Sequence, residues 1–240
     1  MKVDEKLLKR SIDAALELAI IRQEGHEPKK RNFDETVDFI MNLKDLDLND
    51  PKQRIDKELI LPYDIREDPS ICVIASGDIY LKAKDLDVDV LNEEELEALS
   101  HEEKRDKKKF VKSYKFFVVE DKQMRNVARY LARFLGPAGK MPKPFPDGYG
   151  IISTPEDLET AVDRYKRIIK IRVRKQPIVQ TIIGKRSMEE EKLFENMETI
   201  VDFIVSQMPH RYNNIKSMYV KSTMGKPVKI DDEFLDEVGV

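Results

Sequence analysis

The segment Tyr219 to Pro227 carries the most unusual chemistry in the chain: an alternating run ends in Lys221, Ser222, Thr223, Met224, Gly225 and Lys226. Hydroxyls and backbone N–H groups in such a stretch can bind ribose 2′-OH and phosphate. Glycine lets a second backbone approach closely, and an exposed methionine can pack on a base or sugar without demanding one shape. An ordinary strand end closed by a glycine turn would have the same residues, so both readings stand. Three basic clusters could also meet phosphate. Lys104, Arg105, Lys107, Lys108, Lys109, Lys112 and Lys115 form the first, with Glu93, Glu94, Glu95, Glu102 and Glu103 just before it as potential partners; it reads as structural. The second runs from Arg164 through Lys166, Arg167, Lys170, Arg172, Arg174 and Lys175, and the third is Lys216, Lys221, Lys226 and Lys229. These two have few neighbouring acids and are expected on strands of one sheet, either as an anion-binding face or as a solvated one.

Catalysis finds little footing. His26, His101 and His210 are scattered, none is in a metal-ligand spacing, and no Gly-x-Ser-x-Gly elbow occurs. Gly136, Pro137, Ala138, Gly139 and Lys140 invite comparison with a phosphate loop. However, Phe134 stands at the first glycine position and Met141 at the magnesium-binding hydroxyl, and the segment follows a helix. A helix-terminating turn is the simpler reading. Gly77 lacks the further glycines of a dinucleotide fingerprint. The single cysteine, Cys72, has no partner within the chain and fills an apolar run. We expect no catalytic residue, no metal and no cofactor.

The elements that must position these residues follow from periodicity. Leu7, Leu8, Ile12, Ala15, Leu16 and Ala19 recur at helical spacing within 4–22. A turn follows at Gly25 to Pro28, and from Phe33 to Lys44 apolar and polar residues alternate as in a half-buried strand, with Ile40 on the polar side. Ile55 to Leu61 is a second strand, stopped by Pro62. The middle alternates strand and helix: Ser70 to Ser76, Ile79 to Leu86, Val88 to Leu91, Glu93 to Leu99, Phe116 to Val119, then Lys122 to Leu135. That order implies a small parallel sheet covered by helices. Past the Pro- and Gly-rich stretch 142–150, Thr154 caps a helix beginning at Pro155, followed by strands 169–174 and 177–183, helix 189–207, strand 215–223 and a frayed tail after Ile230.

One helix and two strands at the N-terminal end cannot bury a core alone, whereas the C-terminal part supplies complementary strands and helices. We therefore expect a discontinuous domain from 1–65 and 151–240, with 66–150 inserted through a double linker that could act as a hinge. With 240 residues and 40% hydrophobic content a core is affordable. The longest apolar runs, Ile71 to Ala75 and Ile178 to Ile183, fall short of the roughly 20 residues a membrane helix needs. Charged residues make up 37%, which suits an ion-pair-rich surface, and the net charge of −3 speaks against a nucleic-acid partner only in bulk, because phosphate responds to local clusters.

The run from Leu135 to Pro144 (Leu-Gly-Pro-Ala-Gly-Lys-Met-Pro-Lys-Pro) resembles the signature of the ribosomal protein L-one family, and Lys221 to Gly225 resembles its C-terminal RNA-contacting motif. Arg31 to Thr36 and Arg54 to Pro62 are similar to two further blocks of that family, in the same order. The resemblance is to the archaeal form. It implies an α/β protein of two domains: a discontinuous α+β (split β-α-β) domain built from both chain ends, and an inserted Rossmann-like three-layer α/β domain that makes fewer RNA contacts. It further implies a non-enzymatic, cytoplasmic protein, monomeric within the ribosome. The implied partners are the large-subunit rRNA stalk junction, the exit-site tRNA and the leader of its own messenger RNA, with no membrane. Carried onto matching positions, the contact set is Phe33, Thr36, Ser222, Thr223, Met224 and Gly225, with Arg31, Lys44, Arg54 and Lys221 as phosphate partners. Lys226 and Pro227 depart from many family members, which have Pro at the first of these positions. The alternative from another class is a hinge-closing α/β enzyme or small-ligand-binding protein with a cleft lined by Lys140 and Lys143.

Overall fold

The computed structural model describes residues 4–19, 32–145 and 148–238. In chain order the elements begin with α1 (Glu5–Glu17), β1 (Thr36–Leu43), β2 (Ile55–Ile60), β3 (Ile71–Ile74) and α2 (Gly77–Asp85). Next come β4 (Asp89–Leu91), α3 (Glu93–His101), α4 (Lys104–Ser113), β5 (Phe116–Glu120), α5 (Met124–Ala138) and β6 (Ile151–Ile152). The last are α6 (Pro155–Arg167), β7 (Ile168–Val173), β8 (Ile178–Lys185), α7 (Glu190–Gln207), β9 (Ile215–Ser222), β10 (Val228–Lys229) and α8 (Asp232–Val238). The chain divides into two compact units, Met1–Arg66 with Arg167–Val240, and Glu67–Lys166.

In the discontinuous unit, β1 alternates strictly between half-buried and buried residues, so Val37, Phe39, Met41 and Leu43 all point into the core. Phe39 and Met41 are fully buried, each contributing about 1.5–3 kcal/mol of apolar burial. The sheet order is β10-β9-β1-β8. Since β1 is antiparallel to both β8 and β9, these two run parallel to one another with α7 between them in sequence. The N-terminal strand thus splits a C-terminal β-α-β unit. Helices α1 and α7 pack on the buried face, joined by Ile12, Leu193, Met197 and Ile200 in one core cluster. Val37 pairs with Gly184 but Asp38 with Ile182, so Ile183 is an extra residue, a bulge in β8. Its carbonyl accepts from Nδ2 of the buried Asn196 at 2.8 Å, and Asn196 also accepts from the Tyr63 N–H at 3.1 Å. One amide thereby satisfies the bulge and anchors the chain just past β2.

The inserted unit has a parallel sheet in the order β4-β3-β5-β6. Cys72, Ile74, Phe117 and Val119 face α3, α4 and α5 through Leu96, Val111, Val127, Leu131 and Leu135. Burial pushes the Cys72 thiol well up, as befits a core filler. On the opposite pleat Phe116 stacks on Tyr165 of α6, ring centroids 4.5 Å apart, and Lys82 of α2 pairs with Glu159 of α6 at 2.5 Å. The unit is a three-layer sandwich.

Several sequence expectations shift. The second crossing between units lies between Lys166 and Arg167 rather than near 150, because β6 and α6 pack on the parallel sheet. Residues 104–113 form a helix that the dense run of lysines concealed. The tail expected to fray instead forms α8, with Leu235 fully buried and Arg10 of α1 paired to Asp236 at 3.0 Å. The turn at Gly25 to Pro28 lies outside the described residues. Among those described, no helix is long and apolar enough to cross a membrane.

Candidate nucleic-acid interface

Because β1 and β9 are antiparallel neighbours with Val37 opposite Ser222, the entry to one and the exit from the other share one end of the sheet. Glu35 lies there, wholly buried. Its carboxylate accepts from the Ser222 hydroxyl and, at 3.4 Å, from the Met224 N–H. The Arg186 guanidinium stands 4.0 Å from its other oxygen, and the Arg186 N–H donates to the Glu35 carbonyl at 2.8 Å. Beside it, Asp34 accepts from the Ser187 N–H at 3.0 Å and hydroxyl at 2.7 Å. A buried carboxylate is tolerable only when its charge and lone pairs are matched, and three chain segments converge here to match them. Ser222 is also 0% exposed, so it holds the site through Glu35 and is not available to touch a ligand.

Outward from this anchor the Thr36 and Thr223 hydroxyls bond to one another, and the Thr223 N–H donates to the Thr36 carbonyl at 2.9 Å. Each hydroxyl has one proton and two lone pairs, so the pair retains capacity for a ribose 2′-OH. The Thr223 hydroxyl also reaches Asp38 at 3.3 Å. Burial raises the Asp38 carboxyl above its ordinary range, opposed by bonds from Thr223 and Thr36 and by the charge of Lys221. Lys221 stands directly across the strands from Asp38, which tempers its positive field. Two large apolar side chains flank the hydroxyls in solvent: Phe33, 58% exposed, and Met224, 62% exposed. The Gly225 N–H closes the turn on the Ser222 carbonyl at 2.8 Å. A Cβ there would stand 3.3 Å from Ser222 and 3.4 Å from the Ala19 backbone, tight enough to favour glycine. The same sheet face continues through Tyr219 and through Asn42, whose amide donates to Ser217 at 2.8 Å.

The structure brings Phe33, Thr36, Lys221, Ser222, Thr223, Met224 and Gly225 to one place. It does not bring Lys44 there, which follows the far end of β1, roughly 26 Å from Thr36 at about 3.3 Å per residue. Nor does it bring Arg54, whose guanidinium donates to the carbonyls of Leu48 at 2.6 Å and Asn49 at 3.3 Å. Arg31 lies outside the described residues. Sequence reading missed Glu35, Asp34, Asp38, Arg186 and Ser187. An acid opening a half-buried strand is the one signal it could have used.

The second basic cluster is corrected. Its strand β7 pairs with β2 in a separate two-stranded sheet and not with β9. There Lys170, Arg172 and Arg174 converge on Asp56, Lys170 at 3.8 Å and Arg172 at 3.3 Å. Burial raises the Asp56 carboxyl, but the Arg174 bond and the three cations outweigh it and hold it below its ordinary value. The acids this cluster lacked in sequence come from the facing strand. Lys140 is likewise engaged: its ammonium caps the end of α4, donating to the carbonyls of Val111 at 2.7 Å and Tyr114 at 2.5 Å. Gly139 ends α5 with φ 67°, so the glycine-rich turn is a helix stop. In a doubly wound sheet a ligand would sit where strand order reverses, between the ends of β3 and β5. Glu120 fills that place, buried, accepting from the Ser76 N–H and hydroxyl at 2.8 Å each. No cluster of metal-ligating side chains occurs among the described residues.

Residues 24–226 match the model of the Ribosomal protein L1p/L10e family. The chain is 40% identical over 200 residues to the large ribosomal subunit protein uL1 of Methanopyrus kandleri, covering 83% of this chain and 90% of that protein. It is 37% identical over 211 residues to the uL1 of Thermococcus kodakarensis, covering 88% and 94%. With the uL1 of Methanocaldococcus jannaschii it shares 33% over 231 residues, 96% of this chain and 98% of that one. A split α+β unit with a hydroxyl-rich sheet end, an inserted parallel α/β unit and a match of this extent lead to one conclusion: the chain belongs to the Ribosomal protein L1p/L10e family.

Proposed function

We propose that this chain is a structural protein of the large ribosomal subunit that binds rRNA at the stalk junction through the Phe33–Thr36 and Thr223–Gly225 end of its sheet. In that role it builds the mobile side stalk that attends deacylated tRNA leaving the exit site. It also represses translation of its own messenger RNA, through a leader that imitates the rRNA site. It works in the cytoplasm by binding, without catalysis. The observation that supports this reading is the pairing of two exposed apolar side chains, Phe33 and Met224, with hydroxyls on a backbone locked by a buried Glu35. A rigid, partly apolar, hydroxyl-bearing surface suits RNA shape, 2′-OH groups and unstacked bases, with basic side chains adding a salt-dependent contribution.

The test is a salt titration of binding to an rRNA fragment containing the stalk junction, against an unrelated hairpin of equal length. Junction binding that persists at salt concentrations abolishing hairpin binding is the expected result. Equal, weak, salt-erased binding to both would overturn the reading.

A further inference from the structure

The first basic cluster, set aside in sequence as structural, has a different setting once folded. Within the inserted unit, residues 67–103 contain twelve acids and two lysines, while 104–143 contain thirteen Lys and Arg against three acids. The unit is therefore strongly polarised along its sequence. The basic stretch supplies α4 and α5, which pack side by side over one face of the parallel sheet. Val111 of α4 and Val127, Leu131 and Leu135 of α5 point into the core. On the opposite side of α5, Arg125, Arg129 and Arg133 are exposed at a spacing of four residues, about 6 Å of helix rise each. On α4 the exposed bases include Lys108, Lys109 and Lys112. Among the described residues none of these six has a carboxylate within ion-pair distance, although Glu93 of the acidic α3 reaches Gln123 and Asn126 at the start of α5.

We propose that the exposed face of α4 and α5 is a second phosphate-binding surface, fitted to the backbone of double-helical RNA. Unpaired cations concentrated on two adjoining helices raise the local potential, and the acids of α3, packed beside α5 in the same layer, repel phosphate and so bound the contact on that side. The aromatic side chains of these helices, Phe110, Tyr130 and Phe134, are half-buried against the core. With no exposed ring on these helices to stack an unpaired base, the surface suits a duplex backbone rather than a single strand. This surface is distinct from the Phe33–Gly225 site and does not depend on the function proposed for that site.

The probe is a labelled RNA duplex of about 20 base pairs with no resemblance to a ribosomal junction, titrated with salt against the full chain. Replacing Arg125, Arg129 and Arg133 together by alanine should weaken duplex binding at least tenfold at low salt and flatten the slope of log affinity against log salt by about 2–3. Replacing the same three by lysine should restore the slope. The independent triple Lys108→Ala, Lys109→Ala and Lys112→Ala should act as the first does, which guards against misfolding of either variant. A wild-type slope in both alanine variants would overturn the proposal. So would wild-type binding to a single strand of equal length as tight as to the duplex, or displacement of the duplex by polyglutamate at equal charge concentration.

Discussion

Each unit buries a glutamate, and the two do the same local work to opposite ends. Glu35 accepts from the Ser222 hydroxyl and the Met224 N–H, and Glu120 from the Ser76 hydroxyl and N–H. Around Glu35 the segments so fixed end in solvent, presenting Phe33, Thr223 and Met224. Around Glu120 they end on a buried carboxylate that occupies the strand-order reversal, where a ligand would otherwise sit. A buried acid bonded to a serine is thus no mark of a site by itself. What differs is the next residue outward: exposed apolar groups and spare hydroxyl capacity at one, a helix N-terminus tied shut at the other.

The sharpest way to break the comparison is to remove both acids. Glu35→Leu removes the carboxylate beside the Arg186 guanidinium and the acceptor of the Ser222 hydroxyl and the Met224 N–H, and should cost about 3–5 kcal/mol in urea unfolding. Glu120→Leu strands only the Ser76 groups, since its cation Lys122 is 86% exposed, and should cost about 1–3 kcal/mol. Equal losses would mean that the Arg186 charge is not matched by Glu35. Met224→Asp should leave the unfolding midpoint within about 0.5 kcal/mol but weaken junction RNA binding by about 1–3 kcal/mol, through lost packing and a charge repelled by phosphate. Wild-type affinity there would remove Met224 from the interface. Thr223→Val deletes bonds to Thr36 and Asp38 and should lower the same affinity by about 0.5–1.5 kcal/mol, while binding to an unrelated hairpin stays put.

Asp13 sharpens the comparison from the other side, as a carboxyl that meets further acids instead of a matching cation. Its Oδ1 is buried with no hydrogen-bond partner, and burial, then a hydrogen bond shared with Glu190 and the charges of Glu190 and Glu17, raise its pKa to about 6. Its folded pKa lies above the ordinary value, so the folded chain holds the proton more tightly. The stability this contributes is present at low pH and is lost as pH rises from about 4 through 6. Asp13→Asn should therefore be more stable than the parent at pH 7, by on the order of 1 kcal/mol after solvent screening, with the gap closing towards pH 4. An unchanged gap across that range in urea midpoints would show that Asp13 does not titrate as described.

Much of this architecture was legible because period and position coincided. The alternation from Val37 to Leu43 marked a strand with one buried face, and the apolar spacing in α1, α5 and α7 marked their core sides. The discontinuous unit followed from counting what each end could bury. The helix at 104–113 was missed because one apolar pair, Phe110 and Val111, is too little to show a period among lysines. α8 was missed because seven residues barely contain two turns. At the candidate site, the sequence singles out the outward residues by type but not Glu35. Its partners Ser222, Met224 and Arg186 are remote in sequence, and only the register of β1 between β8 and β9 brings them to it.

That register also sets a timetable for synthesis. The Thr36–Thr223 contact joins residues 187 positions apart, and β1 has no sheet partner until β8 and β9 have been made. At about 5–20 residues per second this wait lasts roughly 10–40 s, during which the contiguous unit 67–166 can already close. The sheet end bearing Phe33 and Met224 waits for this late pairing, so a chain cut short before Ser222 would carry a finished inserted unit while Glu35 and Thr36 still lacked the partners that lock them.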